Sequence, residues 1–302
     1  MPTNVSASVL AKLNNYRREQ KEDFQRVLTQ YVIQRFLFRL GVSKYKNRFL
    51  LKGSWMFVSW SGALHRPTKD VDMLGYGDFD KDTILDAFRD VLDSDNDHDD
   101  GVIFDLSTLS GSDIKQDDLY SGFRITCVAF IGSTRNTLQV DIGFGDAVTP
   151  NPENVIIQSV IDQTPAEVIG YPVYTVLAEK YHAMVVLGFA NSRMKDFYDI
   201  ITILRTMSLE FLILQEALEA TFNRRDTSLE QAKEIYSDSF KFDESKVAQW
   251  NAFLRKNDLA EQLTFADAVE EIQHFMEPIH KHENNSFSAT QWNVDLARWQ
   301  TN

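Results

Sequence analysis

Apolar residues recur at helical spacing from Asp23 to Leu40, with Phe24, Val27, Leu28, Tyr31 and Val32 on one side of the turn. The pattern predicts an amphipathic helix, and Gly41 is expected to stop it. The period then shortens to two. Phe49–Leu51 reads as a short strand running into Gly53-Ser54, and Val71–Leu74 as a second. Thr83–Leu92 is helical again, followed by strand-like runs at Val102–Leu109, Gly122–Ile131 and Thr137–Gly143. The last two are joined by "GSTRN", a hairpin-like connection. Strands mixed with helices make the first half α+β.

After Pro165 the period is helical throughout, over Val173–Leu187, Met194–Met207, Leu209–Phe222, Ser228–Ser237, Ser245–Leu254 and Phe265–Phe275. Turn signals in "GDAVTPNPENV" and "DQTPAEVIGYP" put the boundary between residues 146 and 170. We therefore expect an α+β domain over residues 1–160 and an all-helical one over 161–302. The last segment, "HENNSFSATQWNVDLARWQTN", reads either as a loosely attached tail or as a piece docked through Trp292 and Trp299.

Composition narrows the class. With 302 residues, 43% hydrophobic and 25% charged, the chain is long enough for a sizeable core. No apolar run is long enough to span a membrane, and the first residues lack a signal-peptide pattern. A soluble, unprocessed cytoplasmic protein is expected, with no membrane partner. The single cysteine, Cys127, lies in "FRITCVAFI" and reads as a buried strand residue. A net charge of -13 argues against nonspecific coating of nucleic acid, which needs Lys and Arg to displace counterions. Basic residues gather in "NYRREQK" and "SKYKNR", so a polyanion would have to meet the first half.

The candidate chemistry is carried by aspartates on strands. Residues two apart on a strand share a face, so Asp70 and Asp72 point one way while Val71 and Met73 point the other. Side-by-side carboxylates repel, and a hard cation such as Mg²⁺ relieves that repulsion. In "TLQVDIGFGD" the same alternation sets Asp141 with Gln139, opposite Leu138, Val140 and Ile142. Gly53 lets backbone approach an anion, and a helix beginning there would present free N–H groups to phosphate beside Ser54. Taken singly, a Gly-Ser pair or an Asp-x-Asp pair is equally compatible with a turn beside a solvated strand edge.

Strand, Gly-Ser, helix, Asp-x-Asp and a later lone strand Asp together resemble the layout of the polymerase-beta-like nucleotidyltransferases. In the second half, "VLAEKYHAMVVLG" followed by "SRMKDFYDIITIL" is similar to the paired helical motifs of the AbiEii/AbiGii-type nucleotidyltransferase toxins, a Lys helix before a Lys-Asp-x-x-Asp helix. The two resemblances cover roughly residues 49–206. The resemblance implies a mixed sheet with flanking helices, followed by a C-terminal helical bundle that adds Lys and Asp to the active-site cleft. It implies Asp70, Asp72 and Asp141 as ligands of Mg²⁺, or Mn²⁺, with an NTP as substrate. Gly53, Ser54, Arg66, Lys69, Lys180, Lys195 and Asp196 would contact the nucleotide, and Asp199 or Asp196 would orient a lysine. A phosphate-binding Lys180 competes with a plainer reading, a lysine snorkelling beside Leu177, Tyr181 and Met184. Lys195 and Asp199, four apart, also read as a surface ion pair.

The implied reaction is transfer of a nucleoside monophosphate from an NTP to an acceptor hydroxyl, such as the 3' end of tRNA. By resemblance the chain acts as the toxin of a toxin-antitoxin or phage-defence system with a cognate antitoxin, in this family often a DNA-binding protein. A transferase acting on a protein or small molecule, and a catalytically silent nucleotide-binding module, are the alternatives. The chain departs from the commoner family form at Gly53-Ser54-Trp55-Met56-Phe57, and fifteen residues separate Ser54 from Asp70. "DSDNDHDDGVIFDLS" fails the calcium-loop register. His274, His280 and His282 lack the spacing of a zinc site, and His182 reads as structural.

Overall fold

The computed structural model describes residues 5–77, 80–93, 100–116, 120–259, 263–281 and 290–301. The calcium-loop segment around Asn96 and His98, and His282, lie outside these residues. The chain divides into two units, residues 1–146 with 152–171, and residues 147–151 with 172–302.

The first unit contains α1 (Val5–Gln20), α2 (Phe24–Val42), β1 (Phe49–Lys52), α3 (Met56–Ser61), β2 (Val71–Gly75), α4 (Lys81–Leu92), β3 (Val102–Gln116), β4 (Tyr120–Ile131), β5 (Thr134–Phe144), β6 (Glu153–Ile157) and β7 (Ala166–Gly170). The strands form one mixed seven-stranded sheet in the order β3-β4-β5-β2-β1-β7-β6. β2 runs parallel to β5 and β1 parallel to β7, while β1/β2, β3/β4, β4/β5 and β6/β7 are antiparallel. The architecture is the α+β one expected.

Helix α2 is the centre of this unit's core. Asp23 starts it by accepting a hydrogen bond from the Arg26 N–H at 3.1 Å, and Val27, Leu28, Tyr31, Val32, Phe36 and Leu37 are buried against the sheet. The structure corrects the role of Gly41. The helix runs on to Val42, and the Ser43 N–H returns to the Leu40 carbonyl. A Cβ at Gly41 would lie 2.3 Å from the Glu167 carbonyl oxygen, so the glycine is where α2 backbone meets β7.

Strands β6 and β7 were not expected, and they carry the first unit to Tyr171 rather than residue 160. Each is five residues long and buries alternate side chains, Val155 with Ile157 and Ala166 with Val168. Their turn-rich flanks hide so short an alternation. β7 enters the sheet because the Tyr171 N–H reaches the Leu51 carbonyl at 3.0 Å, extending the parallel pairing with β1.

The second unit contains α5 (Val173–Leu187), α6 (Met194–Thr206), α7 (Phe211–Arg224), α8 (Asp238–Lys241), α9 (Glu244–Lys256), α10 (Phe265–Lys281) and the strands β8 (Gln291–Asn293) and β9 (Arg298–Gln300). It is therefore not all helix. β8 and β9 form an antiparallel hairpin in which Trp292 faces Trp299. The Trp292 indole donates to the Leu204 carbonyl at 2.8 Å and the Trp299 indole to the Phe275 carbonyl at 2.9 Å, so the end of the chain is docked. The helix expected over Ser228–Ser237 is a short 3-10 turn at Leu229–Lys233. The turn buries only Ala232, and the next buried residue, Ile235, follows beyond its end. Among the described residues no helix is long and apolar enough to cross a membrane.

Candidate active site

Four neighbouring strands build the charged face of the first unit's sheet. Lys52 on β1 pairs in register with Asp72 on β2, Asp72 with Asp141 on β5, and Asp141 with Arg124 on β4. Register partners point to the same face, so the sheet carries a row of lysine, aspartate, aspartate and arginine. The two carboxylates are flanked by cations. Arg124 grips both oxygens of Asp141, with Nε donating to Oδ1 and Nη2 to Oδ2, each at 2.7 Å. Asp141 holds the Arg124 pKa above its ordinary value through these bonds; burial opposes them, and the charges of Asp141, Asp70 and Asp72 add to the rise. At the other end of the row, Lys52 Nζ is 2.8 Å from Asp146 Oδ2 and lies over the Tyr171 ring.

Asp70 sits one step before β2, where its Oδ1 accepts a hydrogen bond from the Thr68 hydroxyl at 2.9 Å. The long spacer after Ser54 is folded back at two points. The Trp55 indole donates to the Asp70 carbonyl at 3.1 Å, and Arg66 Nη2 donates to Ser54 Oγ at 2.5 Å. Fifteen residues are therefore enough to form α3, turn, and return the chain to the start of β2.

Gly53 has φ +69°, and a Cβ there would lie 2.4 Å from Asp72 Oδ2. The glycine lets the turn pass directly over the carboxylate. The helix that follows is a 3-10 turn over Gly53–Trp55 and then six residues of α3. So short a helix has little dipole to offer phosphate, which leaves the turn's own N–H groups. Ser54 and Arg66 are buried against each other, whereas Lys69 is exposed.

The oxygen donors present are of the kind a hard divalent cation takes. Asp72 and Asp141 are side by side on adjacent strands, and Asp70 lies one step along the same edge. Among the described residues no three His, Cys, Asp or Glu side chains converge as a ready-made metal group, and Arg124 is the cation that holds Asp141.

In the second unit, Lys180 of α5 meets both acidic residues of α6. Its Nζ is 2.9 Å from Asp196 Oδ1 and 2.6 Å from Asp199 Oδ2, and neither carboxylate is exposed. Lys180 is thus neither a snorkelling lysine nor a bystander, and Asp199 is not half of a surface pair. Burial alone would raise the Asp196 pKa. Lys180, then Arg193 and Lys195, outweigh it, and with Asp199 opposing them the net shift is downward. Arg193 Nε is 2.7 Å from Asp196 Oδ2, an ionic contact whose N–H is not aimed at the oxygen. Lys195 itself is exposed. Met194, Phe197, Ile200, Ile201 and Leu204 form the buried stripe of α6 as expected. His182 is structural: Arg225 donates to its Nδ1 at 3.1 Å, which leaves Nε2 to donate to the Thr227 hydroxyl.

Sequence reading missed Arg124, Lys52 and Asp146. Strand parity gave a signal for Arg124, which alternates with buried Phe123 and Ile125. That it lands on Asp141 depends on the β4–β5 register.

A sequence model described as "Nucleotidyl transferase AbiEii toxin, Type IV TA system" matches residues 35–272. No curated protein sequence matches the chain. Among solved structures, JHP933 of Helicobacter pylori is similar at 13% identity over 84% of this chain and 92% of that one, with a TM-score of 0.47. A candidate nucleotidyltransferase of H. pylori is similar at 13% identity over 86% and 96%, with a TM-score of 0.49. An antigenic nucleotidyltransferase-like protein of Paracoccidioides brasiliensis is similar at 16% identity over 70% and 93%, with a TM-score of 0.34. The family match spans most of the chain and takes in both the aspartate strands and the Lys and Lys-Asp-x-x-Asp helices: the chain belongs to the AbiEii nucleotidyltransferase toxin family.

Proposed function

We propose that the protein transfers a nucleoside monophosphate from an NTP to an acceptor hydroxyl, using a divalent cation at Asp70, Asp72 and Asp141. The observation that carries this reading is the in-register pairing of Asp72 with Asp141 beneath the Gly53 turn. The acceptor oxygen attacks the α-phosphorus, the bond to the β-phosphate oxygen breaks, and pyrophosphate leaves. Asp141 is suited to take the acceptor's proton. A bound Mg²⁺ or Mn²⁺ supplies charge neutralisation at the phosphates and lowers the acceptor hydroxyl's pKa. Backbone N–H groups of the Gly53-Ser54 turn bind phosphate, Arg66 fixes Ser54, and exposed Lys69 meets nucleotide or acceptor. Within the second unit, Asp196 and Asp199 orient Lys180, and Lys195 is the exposed lysine of α6.

In the cell we propose a cytoplasmic toxin whose acceptor is the 3' end of tRNA, which arrests growth or phage replication, and which a cognate antitoxin neutralises. Family membership supports this reading. The test is incubation with Mg²⁺, each labelled NTP and total RNA. Label should enter the tRNA fraction and be lost with Asp72→Asn. Label in a protein or small-molecule fraction reassigns the acceptor, and label in no fraction overturns the catalytic reading.

A further inference from the structure

The charge row raises a question that the transfer reaction does not answer: what holds Asp141 before a cation arrives. Asp72 and Asp141 lie on strands about 4.8 Å apart and repel one another. Arg124 resolves this by taking both Asp141 oxygens at 2.7 Å, and it approaches from the open side, its side chain 38% exposed against 11% for Asp141. A fork-to-fork pair of this kind is the strongest geometry an arginine makes with a carboxylate. It also fills the oxygen positions that a metal ion would use.

We propose that Arg124 is the resident counter-ion of Asp141 and competes with the divalent cation for it, so that this guanidinium sets the cation concentration at which the site loads. The proposal rests on the nucleotidyl-transfer reading above. Arg124 is thus a positioning residue. It offsets the charge of Asp141 beside Asp72 while the site is empty of metal and yields the carboxylate when the cation binds.

The test is Mn²⁺ binding by the full-length protein, followed through the signal of free Mn²⁺ in electron paramagnetic resonance. Arg124→Gln should bind Mn²⁺ at least about tenfold more tightly than the wild type, because two charge-assisted hydrogen bonds no longer compete. Arg124→Lys keeps the charge without the fork and should fall between the two, guarding against a folding defect in the glutamine variant. In an Asp141→Asn background, Arg124→Gln should change affinity much less. Unchanged or weaker binding by Arg124→Gln, or the same gain with Asn at 141, overturns the proposal while leaving the metal reading standing. If the wild type binds no more Mn²⁺ than Asp70→Asn/Asp72→Asn, the metal reading itself falls and takes this inference with it.

Discussion

Gly53 in the first unit and Lys180 in the second each hold carboxylates in place. At Gly53 the backbone is left-handed and a Cβ would collide with Asp72. Gly53→Ala should therefore cost about 1–2 kcal/mol in backbone strain. By displacing the turn and Asp72 it should lower nucleotidyl transfer by about 10- to 100-fold. Denaturant unfolding and labelled-NTP transfer, measured on the same preparation, check both. Lys180 neutralises two carboxylates that have no access to solvent. Lys180→Met should destabilise the protein by about 3–5 kcal/mol, the cost of stranding buried charge. Adding Asp199→Asn should recover part of it, and a double variant no more stable than the single one would show that the pair is not electrostatically coupled.

At the scale of elements, the hairpin β8–β9 behaves as a fastener for the helical unit. Trp292 is buried against Phe275 and Trp299, edge to face, and bonds the Leu204 carbonyl at the end of α6. Trp292→Ala should cost about 3–5 kcal/mol in denaturant unfolding, whereas an undocked tail would cost almost nothing. On α10, His280 accepts or donates at Tyr181 Oη, which also meets Tyr236. Burial lowers the His280 pKa below 6.5 and outweighs Glu230 and Glu277, which raise it. The unfolded imidazole thus takes its proton first. Stability should be full above pH 6.5 and fall as the pH drops from there toward the depressed folded value. A His280→Gln variant should show a flatter melting temperature across the same range, and an unchanged slope would exclude His280 as the group responsible.

Across the whole molecule the net charge of -13 sets the response to salt. Self-repulsion in the folded chain is screened as the Debye length shortens, so thermal stability should rise between about 0.02 and 0.3 M NaCl. A flat or falling melting temperature would mean that local ion pairs such as Lys52–Asp146 and Arg39–Asp100 outweigh the global charge. The same charge asks a tRNA acceptor to bind through a limited basic surface, so transfer to RNA should weaken with salt more gently than for a basic protein.

Much of this was legible in the sequence, because it rests on local periodicity and strand parity. The helices α2, α4, α5, α6 and α9 follow from apolar residues three and four apart, whereas Asp70 falls one residue before β2, outside the reach of strand alternation. The Lys-Asp-x-x-Asp helix was visible as a motif. What local pattern could not supply was partnership. The pairing of Asp72 with Asp141 is fixed by a β2–β5 register between residues 69 positions apart, and Arg124 meets Asp141 only through the β4–β5 register. Asp199 looked like Lys195's partner because the two are neighbours along one helix, and it belongs to Lys180 because α5 packs on α6. β6, β7 and the tryptophan hairpin are too short to declare themselves and are held by strands and helices remote in sequence. The sequence by itself determined which groups could act and which face of its element each occupies. Tertiary structure decided which charges are neighbours, because ion pairing depends on distance in space and strand register is set by the whole sheet.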